Sequence, residues 1–144
     1  MAAAAFVMAA GAAAAQTPQQ IAATWGLFGT WAVDCSAPPG DKNPLYTYVW
    51  RQNQVILDRD FGGGSQDSNT ITSLRSPRAD QIEYLVAFGS TDPPTTRFHV
   101  WQKEDSPRRM RIITNRDVAS GKLSVSEGRF TDDNSISAWN RRCW

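Results

Sequence analysis

The chain has 144 residues, with fifteen lysines and arginines against fourteen aspartates and glutamates and one histidine, a formal net charge of +1. Charges so nearly balanced set up no whole-molecule field, which argues against nucleic acid or an anionic membrane surface as partner. Two cysteines alone make a poor zinc site, and the length suits one domain with a core of its own, so no cofactor is expected and a monomer is.

Residues 1–15, "MAAAAFVMAAGAAAA", carry no charge and form an apolar block shorter than the roughly 20 residues a membrane span needs. The block ends on Ala13, Ala14 and Ala15 before "QTPQQ", the small-residue pattern of a secretory cleavage site. Residues 1–15 are therefore read as an export signal, and residues 16–144 as a single exported domain, periplasmic or secreted. The segment lacks the Lys or Arg expected ahead of the apolar core, which leaves the start of the signal open. An alanine-rich disordered or buried helical extension is the alternative. No later stretch is apolar enough to be a span.

A short helical run over 19–25 comes next. Beyond it the chain breaks into short segments rich in Val, Ile, Thr, Tyr, Phe and Trp, which predict strands over 28–35, 46–52, 55–61, 70–75, 81–88, 97–103, 109–115, 122–130 and 135–143. The intervening stretches, among them "SAPPGDKNP", "GGGSQDSN" and "TDDN", are built from Gly, Pro, Asp and Asn, which supply positive φ and start turns. Spacing this regular with connections this short predicts an all-β, antiparallel up-and-down barrel of about eight strands, a sandwich being the alternative.

The cysteines stand near the two ends of the exported portion, Cys35 in "WAVDCS" and Cys143 in "NRRCW". An oxidising compartment makes a disulfide the default for such a pair. Closing a loop of about a hundred residues is worth roughly 4 to 5 kcal/mol in the chain-entropy account. The bond would also make the first and last strands neighbours and so close the sheet on itself, removing its exposed edges.

The stretch "GTWAVDC" places Gly29, Thr30 and Trp31 at the head of the first strand, directly after the helical turn. This resembles the G-x-W signature of the lipocalin and calycin barrels. The resemblance implies a tight backbone approach at Gly29, a plugging role for Trp31 at one barrel end, and a cation from the last strand over its ring. Arg141 and Arg142 are the candidates, and strand alternation from Cys143 favours Arg141. The layout of leader, "GTWAVDC" and terminal Trp and Cys also looks like that of small exported proteins of gram-negative bacteria, which implies a compartment and no chemistry.

Several residues are candidates for binding. His99, the one histidine, lies in "RFHVWQK", where alternation sets Arg97, His99, Trp101 and Lys103 on one face and Phe98 and Val100 on the other. With Phe98 and Val100 as the core pair, His99 is expected at the surface among cations, without a catalytic partner. Arg97, Lys103, Arg109 and Arg111 would then share one wall of a hairpin with Trp101 among them, able to hold an anion by bidentate contacts, or serve merely as a solvated face. Tyr46, Tyr48 and Trp50 share a face that suits a barrel interior or a surface groove. Asp58, Asp60 and Asp67 flank "FGGGSQ" and could surround a calcium ion, although the run lacks the EF-hand pattern and reads better as a mobile turn.

The expected ligand-binding residues are thus Trp50, Tyr48, Arg97, Trp101, Arg109 and Arg111, with Gly29, Trp31, Arg141, Cys35 and Cys143 structural. The expected function is non-enzymatic binding of a small apolar or anionic ligand in the barrel or its mouth. The alternative is a protein-binding module, such as an inhibitor of a secreted hydrolase or an envelope interaction factor, acting through its hairpin loops. No nucleophile elbow or matched acid–base pair points to an enzyme.

Overall fold

The computed structural model describes residue 11 and residues 14–144; the expected export signal lies almost wholly outside these. α1 (Pro18–Trp25) starts at Thr17, whose hydroxyl accepts from the Gln20 amide while the Gln20 side chain accepts from the Thr17 amide. Such a reciprocal cap satisfies two amides that the first helical turn leaves free, and Pro18 fits the first turn because it needs no donor. Gly26 ends the helix in the left-handed region.

Ten strands follow: β1 (Gly29–Ala32), β2 (Leu45–Arg51), β3 (Gln54–Asp60), β4 (Gln66–Arg78), β5 (Gln81–Phe88), β6 (Thr95–Asp105), β7 (Arg108–Asp117), β8 (Leu123–Ser126), β9 (Arg129–Phe130) and β10 (Asn140–Arg142). β1 to β7 pair antiparallel in sequence order. β10 then bridges the two ends, with Trp31 opposite Arg142 on one side and Asn140 opposite Met110 on the other. The result is a closed eight-stranded antiparallel barrel with a short helix at one end. β8 and β9 form a hairpin attached to the far half of β7, where Asn115 pairs with Val125.

Cys35 and Cys143 form a disulfide across the seam, with Cα atoms 5.4 Å apart. Among the described residues, no helix is long and apolar enough to cross a membrane.

Turn chemistry explains where strands reverse. Gln52 and Asn53 both take positive φ, 54° and 58°, the tight two-residue turn whose twist matches a hairpin. Gly62 bends the β3–β4 connection at φ 78°, where a Cβ would sit 2.3 Å from the Pro39 carbonyl oxygen, so no larger residue fits. The expected strand over 122–130 is divided in two because Glu127 and Gly128 take φ of 51° and 73° and fold β8 back on β9. The expected strand over 135–143 shortens to β10. Ahead of it the chain is pinned by the buried Ser137, whose hydroxyl donates to the Ile112 carbonyl oxygen at 2.6 Å.

α1 packs against β3 and β4 and closes one end of the barrel with Ala22, Trp25 and Leu27. Lys103, at the end of β6, donates to the Trp25 carbonyl oxygen at 2.7 Å and lies 5.0 Å from the centre of its ring. Trp31, 1% exposed, donates its indole N–H to the Leu27 carbonyl oxygen at 2.9 Å. Above this floor the inward residues of β2, β3, β5 and β6 stack as Tyr48, Leu57, Ile82, Tyr84, Val86 and Trp101. The end opposite α1 is the mouth.

The strand faces bring two corrections. On β6 the inward face is Arg97, His99, Trp101 and Lys103; Phe98 and Val100 point outward. Phe98 is covered by Arg116, whose guanidinium lies 5.2 Å from the ring centre. Arginine stems thus shelter outward apolar residues, while the inward face places its aromatics at mid-barrel and its cations near the two ends. His99 is therefore buried, 6% exposed, and not a surface residue. The expected basic wall is also divided, since Arg109 and Arg111 lie opposite Glu104 and Gln102, on the outer face, where both stack on Trp139.

The second correction concerns Arg141. It pairs with Ala32 and Arg109 and points outward, whereas Arg142 is the residue opposite Trp31. Strand geometry ends at Ala32 and Arg142, so alternation could not be carried through to Cys35 and Cys143. Arg142 does not cover the indole either. Its guanidinium lies against Gly29, at φ 128°, where a Cβ would meet Arg142 Nε and the Trp144 carbonyl oxygen, each at 2.8 Å.

Candidate functional site

The mouth holds a cavity of about 340 Å3 enclosed by residues from β2, β3, β5, β6 and β7 and the β8–β9 hairpin. Its apolar wall is Tyr46, Leu57, Phe88, Trp101, Ile112, Val125 and Phe130. Its polar groups are Arg59, Arg97, His99 and Asn115. A smaller hollow of about 200 Å3 continues from it past Tyr46, Trp101 and Phe130 to the irregular segment before β10.

The floor is fixed by hydrogen bonds. Trp101 Nε1 donates to Tyr84 Oη at 2.8 Å, and Tyr84 Oη lies 2.8 Å from Tyr48 Oη. Burial raises the pKa of both tyrosines, so both are neutral donors and acceptors over the physiological range. Tyr46 stands edge-on to Trp101 with ring centres 6.1 Å apart, a favoured aromatic geometry.

The two mouth arginines differ in what holds them. Arg59 is bound by both oxygens of Asp67 and stacks 4.1 Å above the centre of Phe88. Burial alone would raise the Asp67 pKa, but hydrogen bonds from Arg59, Asn69 and Ser90 overcome it and hold the carboxyl below its usual range. Asp67 thus stays ionised and neutralises Arg59. Arg97 has no carboxylate partner among the described residues. Its Nε donates to Asn115 Oδ1 and its Nη2 to Ser124 Oγ, both neutral, and its other donors remain uncommitted. Asp117, opposite Arg97 on β7, is occupied by the Ala119 and Ser120 amides.

His99 lies between these groups and the aromatic floor, with ring centres 5.6 Å from Tyr84, 6.0 Å from Phe88 and 6.4 Å from Trp101. Both of its nitrogens are buried, and neither has a hydrogen-bond partner among the described residues. Burial, then Arg97 and Arg59, push its pKa down to about 3, so the ring is neutral and offers one donor and one acceptor. An unpartnered buried polar atom costs roughly 1 to 3 kcal/mol, so this pair marks a place where a ligand's polar group would be rewarded.

No protein-family model, curated protein or solved structure gives a significant match to this chain. The site must therefore be read from its own chemistry.

Of the residues singled out from the sequence, Arg97 and Trp101 line the cavity, and Tyr48 lies beneath it in the solid core. Trp50, 37% exposed, is the penultimate residue of β2, on the helix side, and Arg109 and Arg111 are on the outer wall. Asp58 is held by Arg51 and Ser68, and Asp60 by the Gly62 amide and Gln66; among the described residues no cluster of three metal-ligating side chains occurs.

Arg59, Phe88, Asn115 and Ser124 were not anticipated. Arg59 had a signal: in "VILDRD" it continues the inward parity of Val55 and Leu57. Ser124 reaches Arg97 because β8 folds back on β7 with Asn115 opposite Val125, a register that composition does not reveal.

Proposed function

We propose that this protein is a non-enzymatic, exported, lipocalin-like barrel that binds a small, partly apolar molecule in the mouth opposite α1. The observation that carries the proposal is the meeting, in one aromatic-walled cavity, of a buried histidine with two unpartnered nitrogens and an arginine with uncommitted donors. A protein-binding module is expected to have a filled interior and an exposed cluster of aromatic and arginine side chains near Trp101; the 4% exposure of Trp101 and the space beside it favour the small ligand. Catalysis is disfavoured because His99 has no acid, base or nucleophile within hydrogen-bond reach.

Native mass spectrometry of the protein recovered from the exported fraction tests the proposal. A stoichiometric small-molecule adduct, released on unfolding and reduced by filling the cavity with Val125→Trp, is expected. Bare protein that also fails to bind 1-anilinonaphthalene-8-sulfonate would overturn it.

A further inference from the structure

On the reading just given, we infer that the ligand is a compact aromatic carboxylate bearing a hydroxyl group, its carboxylate on Arg97 and its hydroxyl on His99. The charge count at the mouth sets the head group. Asp67 pairs with Arg59, so among the described residues Arg97 is the cation facing the cavity that no carboxylate binds directly. Asp117, across the β6–β7 ladder, feels the charge of Arg97, but its carboxyl is open to solvent and bound to the Ala119 and Ser120 amides, so water screens the pair; Lys103 is at the opposite end of β6 against Trp25. A single negative charge therefore balances the site, whereas a phosphate dianion would leave a partly buried charge unmatched. Planar guanidinium donors also fit a planar carboxylate.

The wall sets the body of the ligand. Tyr46, Phe88 and Trp101 present ring faces and edges around a space of about 340 Å3, at the small end of the range for ligand pockets. The aromatic faces and edges, more than the volume, favour a ring over a long acyl chain. His99 sets the second polar group, because its neutral ring offers a donor and an acceptor and a hydroxyl can answer either. Arg97 and His99 are two residues apart on one face of β6, about 7 Å along the strand. That is the backbone spacing; because Arg97 leans to Asn115, the partner of His99 across the β6–β7 ladder, a single ring bearing a carboxylate and a hydroxyl can span the two groups.

Calorimetric titration of the disulfide-bonded full chain with 4-hydroxybenzoate, benzoate, phenol and phenyl phosphate tests this. The expected order is 4-hydroxybenzoate, then benzoate, with phenol and phenyl phosphate at least tenfold weaker than the first. Arg97→Met should weaken 4-hydroxybenzoate at least tenfold and leave phenol unchanged, Arg97→Lys should recover part of the loss, and His99→Phe should abolish the advantage of 4-hydroxybenzoate over benzoate. Near-ultraviolet circular dichroism establishes that each variant is folded. Phenol binding as tightly as benzoate, or an Arg97→Met protein that loses nothing, would overturn the carboxylate assignment and leave small-molecule binding standing. Unchanged discrimination in His99→Phe would overturn the hydroxyl assignment. Silence from all four probes while the native adduct persists would overturn the ligand class alone, and silence with no adduct would overturn both readings.

Discussion

Trp101 donates its indole N–H to Tyr84 across 2.8 Å in the barrel interior, and the Tyr84 hydroxyl meets that of Tyr48 at the same distance. The cavity floor thus depends on one phenol that serves two partners. Tyr84→Phe leaves both partners buried and unanswered, at a cost of roughly 1 to 3 kcal/mol each. Urea unfolding should show a loss of about 2 to 6 kcal/mol with an unchanged slope. A variant as stable as the parent would show that the network adds no net stability.

The buried imidazole makes stability depend on pH. In the folded protein His99 titrates at about 3, against 6.5 in an open chain. Its contribution is complete above 6.5. As the pH falls below that, the unfolded chain takes up a proton that the folded state refuses, so stability declines by about 1.4 kcal/mol per pH unit until about pH 3. His99→Phe removes this component. Urea midpoints at pH 7, 6, 5 and 4 should favour the variant increasingly toward acid; parallel curves would contradict the burial.

The disulfide spans 108 residues and joins the segments flanking β1 and β10. Reduction, or replacement of both cysteines by serine, should lower stability by about 4 to 5 kcal/mol in the chain-entropy account. Thermal unfolding with and without reductant measures it. Equal stability would mean that β10 is held by its ladder alone.

Asp67→Asn removes the negative charge that neutralises Arg59. The mouth then carries a second uncompensated cation, and preference should move toward dianions. Phenyl phosphate should gain about tenfold relative to benzoate over the parent protein. An unchanged ratio would show that Arg59 does not reach the ligand.

Much of this barrel was legible in the chain, and the failures have physical causes. The strand expected over 81–88 matches β5 (Gln81–Phe88) because alternation and flanking turns agree there. The pairing of Cys35 with Cys143 was legible from the count of two cysteines and the expected oxidising compartment. On β6 the inward face was misread because Phe98 and Val100 outrank Arg97 and His99 in hydrophobicity, while a barrel turns polar near its mouth. The Arg141 assignment assumed regular alternation beyond β1 and β10, where the chain has left the sheet. The β8–β9 reversal rests on a Glu-Gly turn, a weaker signal than Asn-Gly. No local pattern could show that Ser124 would meet Arg97, a contact between residues 27 apart in the chain.

The most direct test of the cavity as the binding site is nuclear magnetic resonance of the 15N-labelled protein titrated with 4-hydroxybenzoate. The Trp101 indole and Arg97 Nε signals should move together and saturate, while the Trp25 indole beneath α1 stays in place. Movement confined to Trp50 or Trp144, with Trp101 and Arg97 undisturbed, would contradict the assignment of the barrel mouth.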